Sequence, residues 1–177
     1  YASTDFYDAI YKKHTFSQEH NVSATGGDEK LNYYASFGYL GQDGLIKVAD
    51  EGSNRYTATA KISSQWTNWM KFNYSLRFVR KDYHRPQSLG SSVYEYLGGQ
   101  WPCVPLYDRN GNLYNEMVNT MTNGGTYRYQ NDEYSHQVGL DIEPIKNWVT
   151  HAIFNYRTSH NESHTDMQHT YLYNLNG

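Results

Sequence analysis

The sequence predicts an all-β fold, an antiparallel meander of about six strands that forms part of a large transmembrane β-barrel. Three observations lead to this prediction. Apolar and polar residues alternate with a period of two, the predicted turns alternate between short and long, and aromatic residues gather at the strand ends. The clearest stretch is Arg55–Arg80, where two alternating runs flank a short turn at Trp66–Trp69. Each run has about the 9–11 residues that a tilted strand needs to cross a bilayer.

The two runs divide their side chains between an uncharged face and a charged face. Lys61, Lys71 and Arg77 all lie on the charged face. Because hydrocarbon tolerates only the uncharged face, we expect that face to point outward and the charged face to line a watery bore. The outward residues are Tyr56, Ala58, Ala60, Ile62, Ser64 and Trp66 in the first run, and Met70, Phe72, Tyr74, Leu76 and Phe78 in the second.

Two further strands are predicted before this stretch. Phe16–Thr25 alternates weakly, and Leu31–Leu40 alternates clearly after a short turn at Gly26–Lys30. The longer polar segment Gly41–Asn54 then connects to the clearest stretch. At the start of the chain, a Thr4 or Asp5 cap precedes apolar residues, which favours a short helix or an irregular segment.

Two strands are also predicted after Arg80. A long irregular segment of about 81–132 precedes the alternating run Glu133–Glu143. A tight turn at Pro144–Asn147 leads to a last strand, Trp148–Arg157, and the polar segment Thr158–Gly177 is predicted to be a loop. The connections are therefore short, long, short, very long and short in chain order.

Aromatic residues lie at both ends of the predicted strands. Trp66, Trp69 and Trp148 fall beside short turns. A second group falls where strands meet long connections: Tyr39, Tyr56, Phe78, Tyr134 and Tyr156. Outer-membrane barrels have short turns at one rim, longer loops at the other and an aromatic girdle at each interface. The arrangement therefore favours a membrane barrel over a Greek-key sandwich.

Composition excludes several classes of protein. The 177 residues carry a formal net charge of -3 with no basic cluster, so nothing indicates a nucleic-acid partner. The mean hydropathy is -0.86, and no run approaches the ~20 apolar residues of a membrane-spanning helix. Cys103 is the only cysteine, which excludes an internal disulfide. Since no catalytic spacing or phosphate-binding loop stands out, we expect neither an enzyme nor a cofactor.

Four short motifs come in one order from the start of the chain. They are Tyr7-Asp8-Ala9-Ile10, His20–Gly27 (HNVSATGG), Asn32–Gly44 (NYYASFGYLGQDG) and Arg55-Tyr56-Thr57-Ala58. In this order and spacing they resemble the start of the barrel in SusC/RagA-type TonB-dependent outer-membrane transporters. The resemblance spans essentially the whole chain, but only the first strands of such a transporter.

The resemblance implies a 22-stranded barrel with a plugged lumen, embedded in outer-membrane lipid of a Gram-negative bacterium. It also implies import of glycans or oligopeptides under a SusD-like surface lipoprotein, energised by TonB through a plug that this chain lacks. Residues 1–15 are then the lead-in from plug to barrel, 16–177 are the N-terminal part of the barrel, and about 81–132 is an extracellular loop. Because six strands cannot close such a barrel and the chain starts at Tyr1, we expect a piece of a longer polypeptide.

The long loop is the candidate ligand-binding region, because its aromatic rings lie among amides that can bond sugar hydroxyls. The alternative is that each ring only packs the loop. The candidates are Tyr94, Tyr96, Trp101, Tyr107, Tyr127 and Tyr129. Asn110-Gly111 within this loop predicts a hairpin turn rather than a calcium loop.

Other polar groups have simpler interpretations. His160, His164 and His169 are interpreted as solvated loop histidines rather than metal ligands, since no helical stripe gathers them. Three roles are open for the charged residues on the inward face: they contact a plug, line the path of a solute, or form a hydrated wall. These residues are Lys61, Lys71, Arg77, Asp141, Glu143 and Arg157. Two rival classes are left open, a soluble β-sandwich that binds carbohydrate and a small adhesin-like barrel.

Overall fold

The computed structural model describes residues 3–172, apart from the side chains of Ser91, Ser92 and Tyr94. Within this range the chain forms six strands and three short helices. The strands are β1 (Ser17–Gly27), β2 (Leu31–Asp43), β3 (Gly52–Thr67), β4 (Met70–Pro86), β5 (Thr126–Ile145) and β6 (Trp148–Thr165). The helices are α1 (Phe6–Ile10), α2 (Ser91–Gly99) and α3 (Glu116–Asn123).

The strands form one antiparallel sheet in the order β1-β2-β3-β4-β5-β6, so each strand pairs with its neighbour in sequence. This arrangement confirms the predicted six-stranded meander. The register keeps the alternating faces continuous across the sheet, with Ala58 between Phe37 and Phe78, and Phe78 next to Tyr134. The six described strands therefore form a single sheet with one apolar face, and the alternative of a two-layer sandwich is wrong.

The outer halves of the last three strands are longer than predicted. β4 continues to Pro86 and β5 begins at Thr126, so the connection between them is 87–125 rather than 81–132. The predicted polar loop from Thr158 is also wrong at its start, because β6 continues to Thr165. These segments are polar on both faces and show no alternation, but their backbones still pair, as Asp82 does with Gln130.

The connections sort by length, as predicted. Short turns join β1 to β2, β3 to β4 and β5 to β6 at one rim, and the long connections 44–51 and 87–125 lie at the opposite rim. The β5–β6 turn is narrower than predicted, because β5 runs to Ile145. Asn147 has a φ of 69° at this turn, a left-handed conformation that Asn adopts more readily than most residues. We call the two ends of the sheet the short-turn rim and the long-loop rim.

The buried hydrophobic cluster lies at the long-loop rim rather than on the sheet. It joins α1, the β2–β3 connection, α2 and α3 through Phe6, Ile10, Ile46, Val93, Leu97, Val118 and Met121. We call these residues the rim core. Asp5 caps α1, since its carboxylate accepts hydrogen bonds from the Tyr7 and Asp8 backbone amides. Residues 3–15 thus lie beside the long loops, and their assignment as a lead-in from a plug stays a prediction.

Among the described residues, no helix combines the length and the apolar character that a bilayer-spanning helix requires.

Candidate functional site

The outward face of the sheet is apolar and open. Val22, Ile62 and Phe154 are 67%, 45% and 66% exposed, and they lie in rows that continue from strand to strand. A water-soluble protein rarely leaves so wide an apolar surface uncovered. Hydrocarbon is the environment that suits this surface, because between the aromatic residues at its two borders every charged residue of β3 and β4 is on the other face.

Aromatic side chains pair across strands at both borders of this apolar band. Towards the short-turn rim, the rings of Trp66 and Phe72 stack with centroids 5.1 Å apart. Towards the long-loop rim, Phe78 lies 4.8 Å from Tyr134, and a second pair joins β2 to β3. Ten residues separate Tyr56 from Trp66 along β3. At ~3.3 Å per residue and a tilt of about 40°, they span roughly 25 Å, the height of the apolar band in outer-membrane barrels.

The inward face near the short-turn rim holds a hydrogen-bonded chain that crosses four strands. The Ser63 hydroxyl donates to Asn73 Oδ1 at 2.8 Å, and Asn73 Nδ2 donates to Asp141 Oδ2 at 3.0 Å. The other oxygen of Asp141 lies 2.8 Å from His151 Nδ1. Each member thereby satisfies its neighbour, so this part of the wall is polar and internally bonded.

The inward face further towards the long-loop rim forms a shallow groove of about 440 Å³. Its hydroxyl and amide groups include Thr57, Thr59 and Gln137, and its charged groups are Lys61, Arg77, Glu133 and Arg157. Lys61 Nζ lies 5.8 Å from the centre of the Tyr34 ring. Arg157 Nε lies 3.6 Å from Glu133 Oε1; the Arg157 side chain is exposed and the Glu133 side chain is partly buried. The groove therefore combines hydrogen-bond donors with three positive side chains and one negative side chain.

A small hairpin in the 87–125 connection confirms the turn predicted at Asn110-Gly111. Tyr107 and Leu113 form its bridge, and Gly111 has a φ of 85°. The Asp108 carboxylate accepts hydrogen bonds from the backbone amides of Asn110 and Asn112, both at 2.8 Å. These amides lower the pKa of Asp108, because they stabilise the charged form. The hydrogen-bonding capacity of the Asp108 carboxylate is thus used within its own turn, by backbone amides.

The six candidate aromatic residues lie on different elements and do not form one cluster. Tyr96 is half-buried on α2, where it lines a small cavity with Glu116 and Thr120. Trp101 and Tyr107 are exposed, at 74% and 55%. The other three are Tyr94, whose side chain is outside the described set, and Tyr127 and Tyr129, which lie on β5 rather than in the loop.

Tyr127 and Tyr129 have structural partners on the inward side of the wall. The Arg85 guanidinium lies 4.7 Å from the centre of the Tyr127 ring, and the Tyr129 hydroxyl donates to Asn161 Oδ1 at 3.2 Å. Ligand binding by any of the six candidates stays a prediction.

The histidines considered for metal binding are too far apart for one ion. His160 and His164 both belong to β6, so their Cα atoms are about 13 Å apart at ~3.3 Å per residue. His169 lies beyond the end of the strand. Zinc needs nitrogen ligands at about 2.0–2.1 Å, and the described part of the chain brings no three candidate ligands together.

Sequence reasoning missed an ion pair on the outward face, just beyond the girdle at the long-loop rim. Arg80 and Asp132 lie directly opposite on β4 and β5, and two hydrogen bonds of 2.7 Å join their side chains. The two residues are 52 positions apart in sequence, at opposite ends of the predicted loop. Only the register of the extended strands reveals that they meet.

Comparisons with known proteins agree with this geometry. No family model matches the chain. The TonB-dependent receptor SusC of Bacteroides thetaiotaomicron is 28% identical over 121 residues, which is 58% of this chain and 12% of that protein. The TonB-dependent receptor P26 of Formosa agariphila is 22% identical over 146 residues, covering 76% of this chain and 14% of its own length.

The fold also matches a solved importer. The structure of the RagAB peptide importer in its closed-closed state superposes on 98% of this chain and 21% of the matched chain, with a TM-score of 0.75 and 17% identity. In sequence and in fold, the chain is therefore similar to TonB-dependent receptors of the SusC/RagA type.

This similarity identifies the six strands as part of an outer-membrane β-barrel of a Gram-negative bacterium. The receptors that the chain resembles are transporters rather than enzymes. The segment spans 12% and 14% of the curated relatives that it matches. The six strands described above therefore correspond to part of a receptor barrel.

Proposed function

We propose that this chain forms part of the wall and outer loops of an importer that takes up glycans or oligopeptides across the outer membrane. The observation that carries the proposal is the two-sided sheet, which has an apolar outward face and a polar inward face between two aromatic borders. In this proposal residues 16–177 belong to the N-terminal part of the barrel, and 1–15 connect it to a plug.

The proposed partners follow from the relatives. RagAB is named as a peptide importer and as a two-part complex, which supports a SusD-like lipoprotein as the lid over the long-loop rim. TonB is proposed to act through a plug outside this chain. Trp101 and Tyr107 are the rings best placed to meet a solute or a lid, because they are the most exposed of the described candidates.

A test uses cells that carry the intact receptor and its lipoprotein. We expect uptake of a labelled oligosaccharide or oligopeptide, and we expect uptake to stop when a protonophore removes the energy that TonB transmits. The double variant Trp101→Ala/Tyr107→Ala should weaken solute binding about thirtyfold, since each of the two stacked rings is worth roughly 1 kcal/mol.

The matched control is Tyr114→Ala, which removes another exposed ring from the same loop and should leave affinity unchanged. Equal affinity in the double variant and the unmodified receptor would remove Trp101 and Tyr107 from the site. Absence of energised uptake of either solute class would contradict the importer itself.

A further inference from the structure

The inward face carries a line of positive side chains from mid-height towards the long-loop rim. The residues come from β3, β4 and β6, and they share the inward face by register. We call this set the basic stripe: Arg55, Lys61, Arg77, Lys81 and Arg157. Arg85 continues the line but is excluded, because its guanidinium already donates to the backbone carbonyls of Pro86 and Gln87.

The stripe contains a pair of like charges that directly face each other. Arg55 on β3 is the register partner of Lys81 on β4, and both side chains are exposed. Like charges directly opposite on neighbouring strands destabilise a sheet. Neither side chain forms a hydrogen bond or an ion pair with another described residue, so the described chain does not neutralise this repulsion.

A second pair lies nearer mid-height. Ser135 on β5 stands between Arg77 on β4 and Arg157 on β6 in one row, which places the two arginine backbones about 9–10 Å apart. Arg77 is exposed and has no ion pair within the described residues. Arg157 is 70% exposed, and its contact with Glu133 at 3.6 Å is longer than a charge-assisted hydrogen bond.

Elsewhere the same sheet balances its charges. On the inward face near the short-turn rim, Lys71 lies directly opposite Asp141. On the outward face, Arg80 and Asp132 form their two hydrogen bonds. In the part of the inward face that holds the stripe, the described carboxylates on the strands are Glu19 and Glu133, and Glu19 already accepts a hydrogen bond from Asn21.

The uncharged groups beside the stripe also suit an anion. Thr57, Thr59 and Ser75 line the same groove and bring hydroxyl donors next to Lys61 and Arg77. The groove volume of about 440 Å³ is within the range of roughly 300–1,000 Å³ that small-molecule sites occupy. Its position on the long-loop side of mid-height is where a solute arrives from outside the cell.

We propose that the basic stripe binds carboxylate groups of the imported solute, so that the receptor selects acidic glycans or acidic peptides over neutral ones. This inference rests on the proposed importer function and specifies the charge of its solute. The two sources of carboxylate, uronic acids and acidic amino acids, share the chemistry that the stripe recognises, and the experiment separates them.

The experiment measures Kd with the intact receptor in detergent, using four probes. They are tetragalacturonate, its methyl ester, a tetraglutamate peptide and the matching tetraglutamine peptide. We expect one acidic probe, or both, to bind at least about tenfold more tightly than its neutral counterpart, because two charge-assisted contacts contribute. The difference should shrink as salt rises from 0.05 M to 0.5 M, since these groups are solvent-exposed.

The double variant Arg77→Gln/Lys81→Gln should raise the Kd of the acidic probe about tenfold and leave the Kd of the neutral probe unchanged. Lys71→Gln is the matched control, because it removes a cation from the same face of β4 near the short-turn rim. It should not change the affinity of any probe. The acidic probe that responds identifies the source of the carboxylate.

Three outcomes would overturn the inference. Acidic and neutral probes could bind equally while energised uptake persists, which refutes the carboxylate preference and leaves the importer function intact. The stripe variant could lower the receptor's thermal stability with probe affinity unchanged, which would show that the stripe pairs with the receptor's own plug. Failure of all uptake in cells would refute the importer function and the inference together.

Discussion

A polar side chain in this wall finds its partner on a neighbouring strand, as Asn73 does between Ser63 and Asp141. The same holds for polar groups that face hydrocarbon. His136 lies on the outward face, and its Nδ1 is 2.9 Å from the Tyr74 hydroxyl. An unpaired polar group in lipid costs several kcal/mol, so this hydrogen bond explains how an imidazole is tolerated within the apolar rows.

Position on the strand therefore decides what a new charge does. Leu76→Arg on the outward face should destabilise the folded receptor in lipid by about 2–4 kcal/mol. Asn73→Arg on the inward face should cost only about 1 kcal/mol, because it loses the hydrogen bond from Ser63 while its guanidinium can still donate to Asp141. Denaturant unfolding of the intact receptor in lipid vesicles measures both variants. Equal losses at the two positions would contradict the assignment of the two faces.

Residue roles were predictable only where a rule acts locally. The alternation around Arg55–Arg80 predicts the face of each residue from Tyr56 to Trp66 in β3 and from Met70 to Phe78 in β4, because period two ties a side chain's direction to its position. The Asp5 cap and the Asn110-Gly111 turn were also local. The Arg80–Asp132 pair and the basic stripe depend on register between strands that a long loop separates, which no local pattern encodes.

At the scale of elements, the strands divide into a membrane part and an outer extension. Phe78 and Tyr134 mark the border between the two parts. Beyond this border β4 continues to Pro86, and the paired part of β5 begins at Thr126. Apolar and polar residues alternate only in the membrane part of each strand, because there one face contacts hydrocarbon. In the outer extension both faces contact water, so both can be polar. That is why the lengths of the loop at about 81–132 and of the final loop were overestimated.

The helices of the long connection were missed for a different reason. Among the described side chains of α2, Val93 and Leu97 are buried, and α3 buries Val118, Asn119 and Met121. Two or three buried positions among Gly, Asn and Ser give no recognisable helical stripe. These helices form because their few apolar residues close the rim core, so tertiary contacts rather than helix propensity stabilise them.

The rim core can be weakened without touching the sheet. Phe6→Ala removes a buried ring that packs with α2 and α3, and such truncations cost about 3–5 kcal/mol. We expect faster amide hydrogen exchange in α2 and α3 and unchanged exchange in β3, because the sheet does not depend on this cluster. Hydrogen-exchange mass spectrometry of the intact receptor measures it.

Tyr7→Ala is the matched control, since Tyr7 is on the same helix but 56% exposed. It should leave exchange in α2 and α3 unchanged. If both substitutions accelerate exchange equally, or neither does, α1 is not part of the core that holds the loop.

At the scale of the whole molecule, the chain has its tightly packed core at one end and an uncovered apolar sheet below it. β1 and β6 each pair with one strand within the described residues. A wall of this kind is stable only when further strands continue it and lipid covers its outward face. The family resemblance and the sorted turns predicted this architecture from the sequence, whereas the packed rim was not predicted.

Extraction behaviour follows from that architecture. The intact receptor should stay in the membrane fraction through washes with high salt and carbonate, and it should be released only by detergent, because its apolar band contacts hydrocarbon. Immunoblotting of the fractions measures this. Recovery of the receptor in the aqueous wash would contradict a membrane barrel and favour the rival hypothesis of a soluble carbohydrate-binding protein.

The rim core also determines how the long-loop rim responds to mechanical force. Phe6, Ile46 and Val118 come from three separate segments of the chain and meet in one cluster. Segments that share one packed cluster cannot move independently of one another. A force on any of the three therefore displaces all of them together, so this end of the sheet behaves as a single rigid unit.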